Sequence, residues 1–473
     1  MSLATLKQLS KIISDSIESV EKRCNTLGYD YPSLDKPFNP ADPAESLTVD
    51  PIIIENVMIL IAASNQIVST TRLPAMTLFD MSMSFHLSSA LQVIALANIP
   101  EILREAGPQG LHAKDIATKT FLDAELIARY LRLLASHHVF RELTPDVFTN
   151  NRLSSMLDTL KSVKEINANP VNRHVGSPGL KALIEHTQVT DETFKGSAIV
   201  ADFLMENPGL EDPADAPIVR AQNARKPFFE WLEESGNESR SKRFGAAMAG
   251  VSKLDDGTAI LRGYPWAELP ENAKVVDVGS GIGDMPMILS KNFPTFKFVL
   301  QDFAGVMGGA REHWEVNNPS ALNEGRIEFL AHDFFKPQPV KDADLFLLRM
   351  ITHDWGSSHV ITILKHLREA AVPGKTKLLI VDQIAPYACS VPNDEGRNIP
   401  GPPPPSVPDV LLPNLGKANS IIYLGDLQMF TLQYGQERTI GNHIDVTHAA
   451  GWKIVRLYRP SASIFAHILA EPI

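Results

Sequence analysis

Apolar residues recur along this chain with two periods, and the change from one to the other divides it. From Leu6 through Leu9, Ile13, Ile17 and Val20 to Cys24 they return every three or four positions with Lys, Glu, Asp and Ser between them, which predicts an opening amphipathic helix. Such a stripe packs on its own subunit or on a second one, and the pattern leaves both open. A proline-rich connector from Tyr31 to Pro51 leads to two more helices, about Ile52–Thr71 and Met76–Ala97. A helix over Asp123–Ser136 follows, then the runs Val139–Leu143 and Val147–Thr149 across Pro145-Asp146. Short helices followed by a hairpin are the order of a winged helix. Helical spacing returns from Ala214 to Gly250.

After Tyr264 the period shifts to alternating strand and helix, with strands near Lys274–Val278, Lys297–Gln301, Ile327–Leu330, Leu345–Leu348 and Lys377–Val381. That alternation predicts a doubly wound parallel sheet in an α/β domain. The tail, Trp452–Leu457 and then Ser463–Leu469, reads as a terminal hairpin. Between Pro386 and Ile421 the alternation is interrupted by a stretch that includes Pro400-Gly401-Pro402-Pro403-Pro404-Pro405, which cannot donate ladder hydrogen bonds and is expected to be a loop. The division that results is 1–75 as a helical extension, 76–255 as a winged-helix segment, and 256–473 as the sheet domain with an insertion at 387–420.

Charge and composition narrow the partners. A formal net charge of −11, a pI near 5.7 and no Lys/Arg block give no footprint for nucleic acid, and the helix Asp123–Ser136 offers phosphates only Arg129 and Arg132. Cys24 and Cys389 lie far apart, so a disulfide framework is not expected and a reducing compartment is. Lys7, Lys11 and Asp15 interrupt what a signal peptide would keep apolar, and Glu55, Asn56, Asn65 and Gln66 interrupt Pro51–Val68, so the expectation is a cytoplasmic protein off the membrane. No H-E-x-x-H pattern links His353, His359 and His366, and no metal is expected.

The first strand of the sheet breaks into glycines: Val275-Val276-Asp277-Val278-Gly279-Ser280-Gly281-Ile282-Gly283-Asp284. Glycine suits a turn whose backbone a ligand approaches. A dinucleotide fingerprint would need glycine at position 284, so a pyrophosphate binder is the weaker reading and an ordinary strand-to-helix turn the bland one. With Asp277 before them, Gly279, Gly281 and Gly283 resemble motif I of class I S-adenosylmethionine-dependent methyltransferases. In an open α/β sheet the ligand sits beyond the carboxyl ends of the strands. Asp302 ends the second strand, where a carboxylate reaches a ribose diol, and the resemblance places Asp333 and Phe334, at the end of the third, around the adenine. Either aspartate taken alone is as readily a solvated strand end.

The fourth strand runs into Leu348-Arg349-Met350-Ile351-Thr352-His353-Asp354-Trp355. This stretch is similar to the His-Asp-Trp motif of small-molecule O-methyltransferases of the caffeate and hydroxyindole type. The resemblance implies His353 as general base, flanked by acids at Asp382 and Glu437, and Trp355 bordering the cofactor together with Arg349. It also implies Phe244 and Met248, and in second rank Met429 and Phe430, as acceptor-pocket residues; a plain core stripe explains the first two equally well. A phenol of pKa about 10 is a poor nucleophile at pH 7, and a base of pKa about 6.5 beside it is the remedy. The plant enzymes carry glutamate where this chain has Asp382, one methylene shorter.

The fold so implied is a Rossmann-like methyltransferase sheet behind a mainly helical N-terminal half whose winged helix serves dimerisation. The expected cofactor is S-adenosyl-L-methionine, and the expected partners are a second copy of the chain and a phenolic or enolic acceptor of an aromatic or polyketide-like kind. Two other readings stay open at this point. Some fungal relatives use this pocket for dehydration or pericyclic rearrangement without consuming the cofactor, and a winged-helix regulator would only sense it.

Overall fold

The computed structural model describes residues 3–178, 180–188, 193–206, 209, 211–251, 255–390, 399–402, 406–461 and 463–473. Contacts divide the chain into two compact units, Met1–Leu254 and Asp255–Ile473, so the 1–75 extension and the segment after it share one unit.

In the first unit the opening helix α1 (Leu3–Leu27) packs on α2 (Pro51–Thr71), with Cys24, Leu47 and Ile53 burying one another. The start of α2 is fixed by chemistry that the connector carries. Asp50 accepts hydrogen bonds from the amides of Ile52 and Ile53 at 3.1 and 3.2 Å, and the same carboxylate pairs with Arg23 of α1 at 2.7 Å. The single helix expected over Met76–Ala97 is two, α3 (Pro74–Met83) and α4 (Phe85–Leu96), because the Ser84 amide turns to Met81 O, three residues back, instead of continuing the four-residue ladder. Then come α5 (Ile99–Ala106), strand β1 (Leu111–His112), α6 (Ala113–Ala117), α7 (Ala124–Ser136), β2 (Arg141–Thr144) and β3 (Val147–Thr149), with the strands in the order β1-β3-β2. This is the winged-helix order, closed over Ile116, Ile127, Leu131, Phe140 and Phe148. Arg132 is paired to Glu142 and Asp146 of the hairpin at 2.6 and 2.7 Å. The stretch Ala214–Gly250 is not one helix but several, Pro217–Ala221, Phe228–Leu232 and Glu238–Val251.

The second unit is a seven-stranded sheet: β4 (Lys274–Val278), β5 (Lys297–Asp302), β6 (Ile327–Ala331), β7 (Leu345–Arg349), β8 (Lys377–Asp382), β9 (Trp452–Tyr458) and β10 (Ala466–Pro472), in the order β6-β5-β4-β7-β8-β10-β9. Alternate side chains of each central strand go to opposite faces. Val276, Phe346, Leu348 and Ile380 pack with Ile363, Leu364 and Leu367 of the helix Ser357–Ala370 on one side. Val275, Leu345, Leu347 and Leu379 pack with Leu289, Ala310 and Trp314 on the other. The order reverses at β4, whose neighbours β5 and β7 both run parallel to it, so the crevice at the carboxyl ends of β4, β5 and β7 is where a ligand fits.

The expected terminal hairpin is present, with its second strand starting three residues later. The antiparallel strand is β10, begins at Ala466 and not at Ser463, and lies inside the sheet, bonded to β8 and to β9; the edge strand is β9. Burial explains this. Residues 466–470 are buried on both faces, as an inner strand must be, whereas β9 alternates buried and exposed positions. Part of the proline-rich stretch covers that edge: the Leu457 amide donates to Pro400 O at 2.9 Å and Arg459 to Pro402 O at 2.8 Å. Positions 391–398 and 403–405 of the insertion lie outside the described residues.

Candidate active site

The glycine turn follows β4 directly, with Gly279, Gly281 and Gly283 at φ +73°, +55° and +82°. A Cβ on Gly279 would lie 2.4 Å from Ile351 Cδ1, and one on Gly283 2.3 Å from Leu300 Cδ2; at Gly281 nothing stands within 4 Å. Two of the glycines thus let side chains pack against the turn, and the middle one leaves open space in front of it. Asp302, at the end of β5, takes the Gly281 amide on Oδ2 at 2.8 Å and the Phe303 amide on Oδ1 at 2.7 Å. Burial raises its pKa against the pull of those two amides, and each oxygen keeps a lone pair for a ligand hydroxyl.

Asp277 is buried inside β4, and burial lifts its pKa to about 7, with Arg349 opposing and Asp302 and Asp284 adding. Arg349 itself lies over the Phe465 ring at 5.0 Å. Asp333 accepts from the Phe335 amide at 2.9 Å. Phe334 and Trp355 meet edge to face at 5.9 Å, and Phe335 fills the angle at 5.0 Å from Phe334 and 4.8 Å from Trp355. The Phe334 edge comes within 3.7 Å of the Gly279 Cβ position, so this apolar wall adjoins the glycine turn.

His353 sits in a single 3-10 turn, Thr352–Asp354, just past β7. Its Nδ1 bonds Glu437 Oε1 at 2.7 Å, which assigns the Nδ1 proton and makes Nε2 the basic nitrogen of the neutral ring. Nε2 lies 3.6 Å from Asp354 Oδ1, beyond a hydrogen bond. Glu437 is brought to the ring by close backbone approach. The Gln436 amide donates to His353 O at 2.8 Å, and a Cβ on Gly435 would stand 2.4 Å from that oxygen. The Glu437 amide in turn donates to Asp426 at 2.9 Å.

Asp382 flanks the base without a hydrogen bond to the ring. It accepts the Thr352 hydroxyl on Oδ2, while its Oδ1 has no hydrogen bond among the described residues, and it reaches His353 only through its field. The side chain ends at the neighbouring threonine, consistent with the lost methylene. Burial pulls the His353 pKa down, but Asp354, Glu437 and Asp382 outweigh it and hold the imidazole well above its ordinary 6.5. Burial pushes the Asp354 carboxyl up, Asp382 and Glu437 reinforce this, and His353 opposes it.

Sequence alone gave Thr352, Asp354 and Arg438 no role, although Asp354 adjoins His353 and Arg438 adjoins Glu437. A charged residue next to each chemical one was the signal. Of the acceptor residues expected, Met429 and Phe430 lie half-buried on the helix Ser420–Gln433, Phe430 edge-on to Tyr434 at 5.4 Å. Phe244 and Met248 belong to the first unit, where Phe244 meets Phe228 and Phe229 edge to face at 5.7 and 5.8 Å. A cavity of about 280 Å³ lined by Tyr264, Glu268, Lys377 and Arg456 lies at the other end of β8, away from these groups.

A glycine turn at the switch point, acids at two strand ends and a carboxylate-held histidine beyond a third define a nucleoside-binding α/β enzyme of the methyltransferase class. Residues 79–159 match the O-methyltransferase dimerisation domain and residues 223–396 the O-methyltransferase domain. The chain is 35% identical to an O-methyltransferase of Armillaria gallica, over 99% of this chain and 100% of that one. It is 36% identical to 4-O-methyltransferase 1 of Phanerochaete chrysosporium over 96% of each. Among solved structures, OxaC in complex with sinefungin and meleagrin superposes with a TM-score of 0.67 at 18% identity, over 98% of this chain and 99% of that one. The chain belongs to this O-methyltransferase family and is an S-adenosylmethionine-dependent O-methyltransferase of small molecules. Its residues fit that cofactor: open space at Gly281, free lone pairs on Asp302 and an apolar wall at Phe334 and Trp355 suit an amino-acid end, a ribose diol and an adenine. When bound, it supplies an electrophilic methyl group on a positively charged sulfur.

Proposed function

We propose that the enzyme methylates a phenolic or enolic hydroxyl of an aromatic or polyketide-like small molecule, with His353 as general base. The observation that carries this reading is the 2.7 Å bond from His353 Nδ1 to the buried Glu437, which orients Nε2 as a proton acceptor at the carboxyl end of the sheet. Nε2 takes the hydroxyl proton, and Glu437 and Asp354 stabilise the imidazolium that results. Asp354, Glu437 and Asp382 make the imidazole a stronger base than a free one, so its neutral form takes the proton of a weakly acidic hydroxyl more readily. Incubation with labelled cofactor and a panel of phenols tests the reading: a labelled methyl ether is expected. Cofactor that is required but not consumed, with no methylated product, would overturn it in favour of rearrangement or elimination.

The pH dependence follows from the same charges. Only neutral imidazole accepts a proton, so kcat/KM should rise with pH through an apparent pKa above 6.5. Asp354→Asn removes an anion that favours the charged ring, so the acid limb should move to lower pH in that variant. A limb that stays in place would separate Asp354 from the base.

We infer also that the enzyme works as a homodimer. Helix α3 has no buried residue, and Leu78, Phe79 and Met81 are 68%, 61% and 66% exposed, where the match to the dimerisation domain begins. Light scattering at micromolar concentration should give twice the chain mass, with an interface above about 2,000 Å². A monomer would count against it.

A further inference from the structure

We propose that Arg438 is a positioning residue that clamps the turn carrying His353 to the loop carrying Glu437 and so holds the base in register. The proposal rests on the reading of His353 as base. Arg438 is 1% exposed, yet its guanidinium makes its hydrogen bonds to backbone carbonyls. Nη1 donates to Thr352 O and, at 3.3 Å, to Gln436 O; Nη2 donates to Trp355 O at 2.7 Å. Thr352 and Trp355 bracket His353, and Gln436 precedes Glu437. One planar fork therefore holds both ends of the base turn and the loop that supplies its carboxylate. The Arg438 carbonyl accepts from the Ala385 amide at 2.9 Å, which ties the clamp to the segment after β8.

The charge has a second consequence. Asp354, Asp382, Glu437 and Asp426 stand around this turn, the field of the first three falling on His353, and Asp426 taking the Glu437 amide. One imidazolium cannot balance that many carboxylates in a buried site. Arg438 lies in the field of Asp382, Glu437 and Asp426 and supplies a positive charge without competing for the oxygen that Glu437 offers to Nδ1. Buried His443, in the field of Arg438, has its pKa lowered by burial first and by Arg438 second, so it stays neutral and adds no further charge. Lysine keeps the charge but is a single donor centre and cannot span carbonyls on both sides of the base.

The test uses the full chain, with Arg438→Met and Arg438→Lys measured for cofactor affinity by calorimetry, for kcat and KM on the best phenol of the panel, and for the low-field imidazole N–H proton resonance of the His353–Glu437 bond. Arg438→Met is expected to lower kcat by about 10- to 100-fold, the scale of a slightly misplaced catalytic group, with that resonance lost and the cofactor dissociation constant within about twofold. Arg438→Lys should recover part of both. In a His353→Ala background, Arg438→Met should cost nothing further, because the clamp acts through the base. Wild-type kcat and an intact resonance in Arg438→Met, or fully additive losses in the double variant, would overturn the proposal. Should Arg438→Met fail to fold, Arg438→Lys decides: a lowered kcat with a weakened resonance supports the clamp, wild-type values sink it. The resonance reads the clamp without turnover, so a His353→Ala enzyme with full activity would overturn the base while leaving the clamp to be judged by that signal.

Discussion

His353→Ala is expected to lower kcat by about 10²–10⁴ while leaving cofactor affinity nearly intact, because the imidazole acts on the acceptor's proton. The size follows from what replaces the base. Without it the hydroxyl must lose its proton to water or arrive already ionised, and a phenol of pKa about 10 is ionised about one part in a thousand at pH 7. The residual rate of the variant should therefore climb with pH as the acceptor ionises by itself. Glu437→Gln should do less than His353→Ala, since it weakens a base that is still present. Methylation at the wild-type rate by the alanine variant, on the true acceptor, would make an acceptor ionised in solution the better explanation.

Asp302→Ala should weaken cofactor binding by roughly 1.5–3 kcal/mol, the range for hydrogen bonds to a charged group. Its carboxylate has two duties here. It holds the glycine turn through the Gly281 and Phe303 amides at 2.8 and 2.7 Å, and it keeps lone pairs for the ribose. Asp302→Asn retains an acceptor for one amide, so it should preserve the turn better than the alanine variant and still lose affinity. Calorimetry on both variants, with thermal melting of the cofactor-free protein as the control on the turn, separates the two duties. Unchanged affinity in Asp302→Ala would remove this residue from the site.

The sheet strands, the glycine turn and the stretch from Leu348 to Trp355 were legible because each is written in neighbouring residues. A run such as Leu345–Leu348 needs only its own apolar side chains to be a buried strand, and Gly279, Gly281 and Gly283 need only their own missing Cβ atoms to turn with positive φ. The winged helix was legible for the same reason, through its periods and its Pro145-Asp146 turn.

What the tertiary structure decided depends on residues far apart in sequence. Which strand of the terminal hairpin lies inside was settled by the burial of residues 466–470 on two faces, a property of the assembled sheet. That Asp382 bonds Thr352 and acts on the base only through its field, while Glu437 takes the ring's hydrogen bond, was decided by pairings across 30 and 84 positions of chain. The strength of the base had the same origin. A lone histidine has a pKa of about 6.5, and what raises this one is the convergence, in a buried space, of carboxylates from separate loops. Local pattern determined which groups the chain offers; their charges and protonation were decided only where the fold brought them within a few ångströms of one another, because electrostatic energy depends on distance in space and on excluded water, neither of which is spelled along the chain.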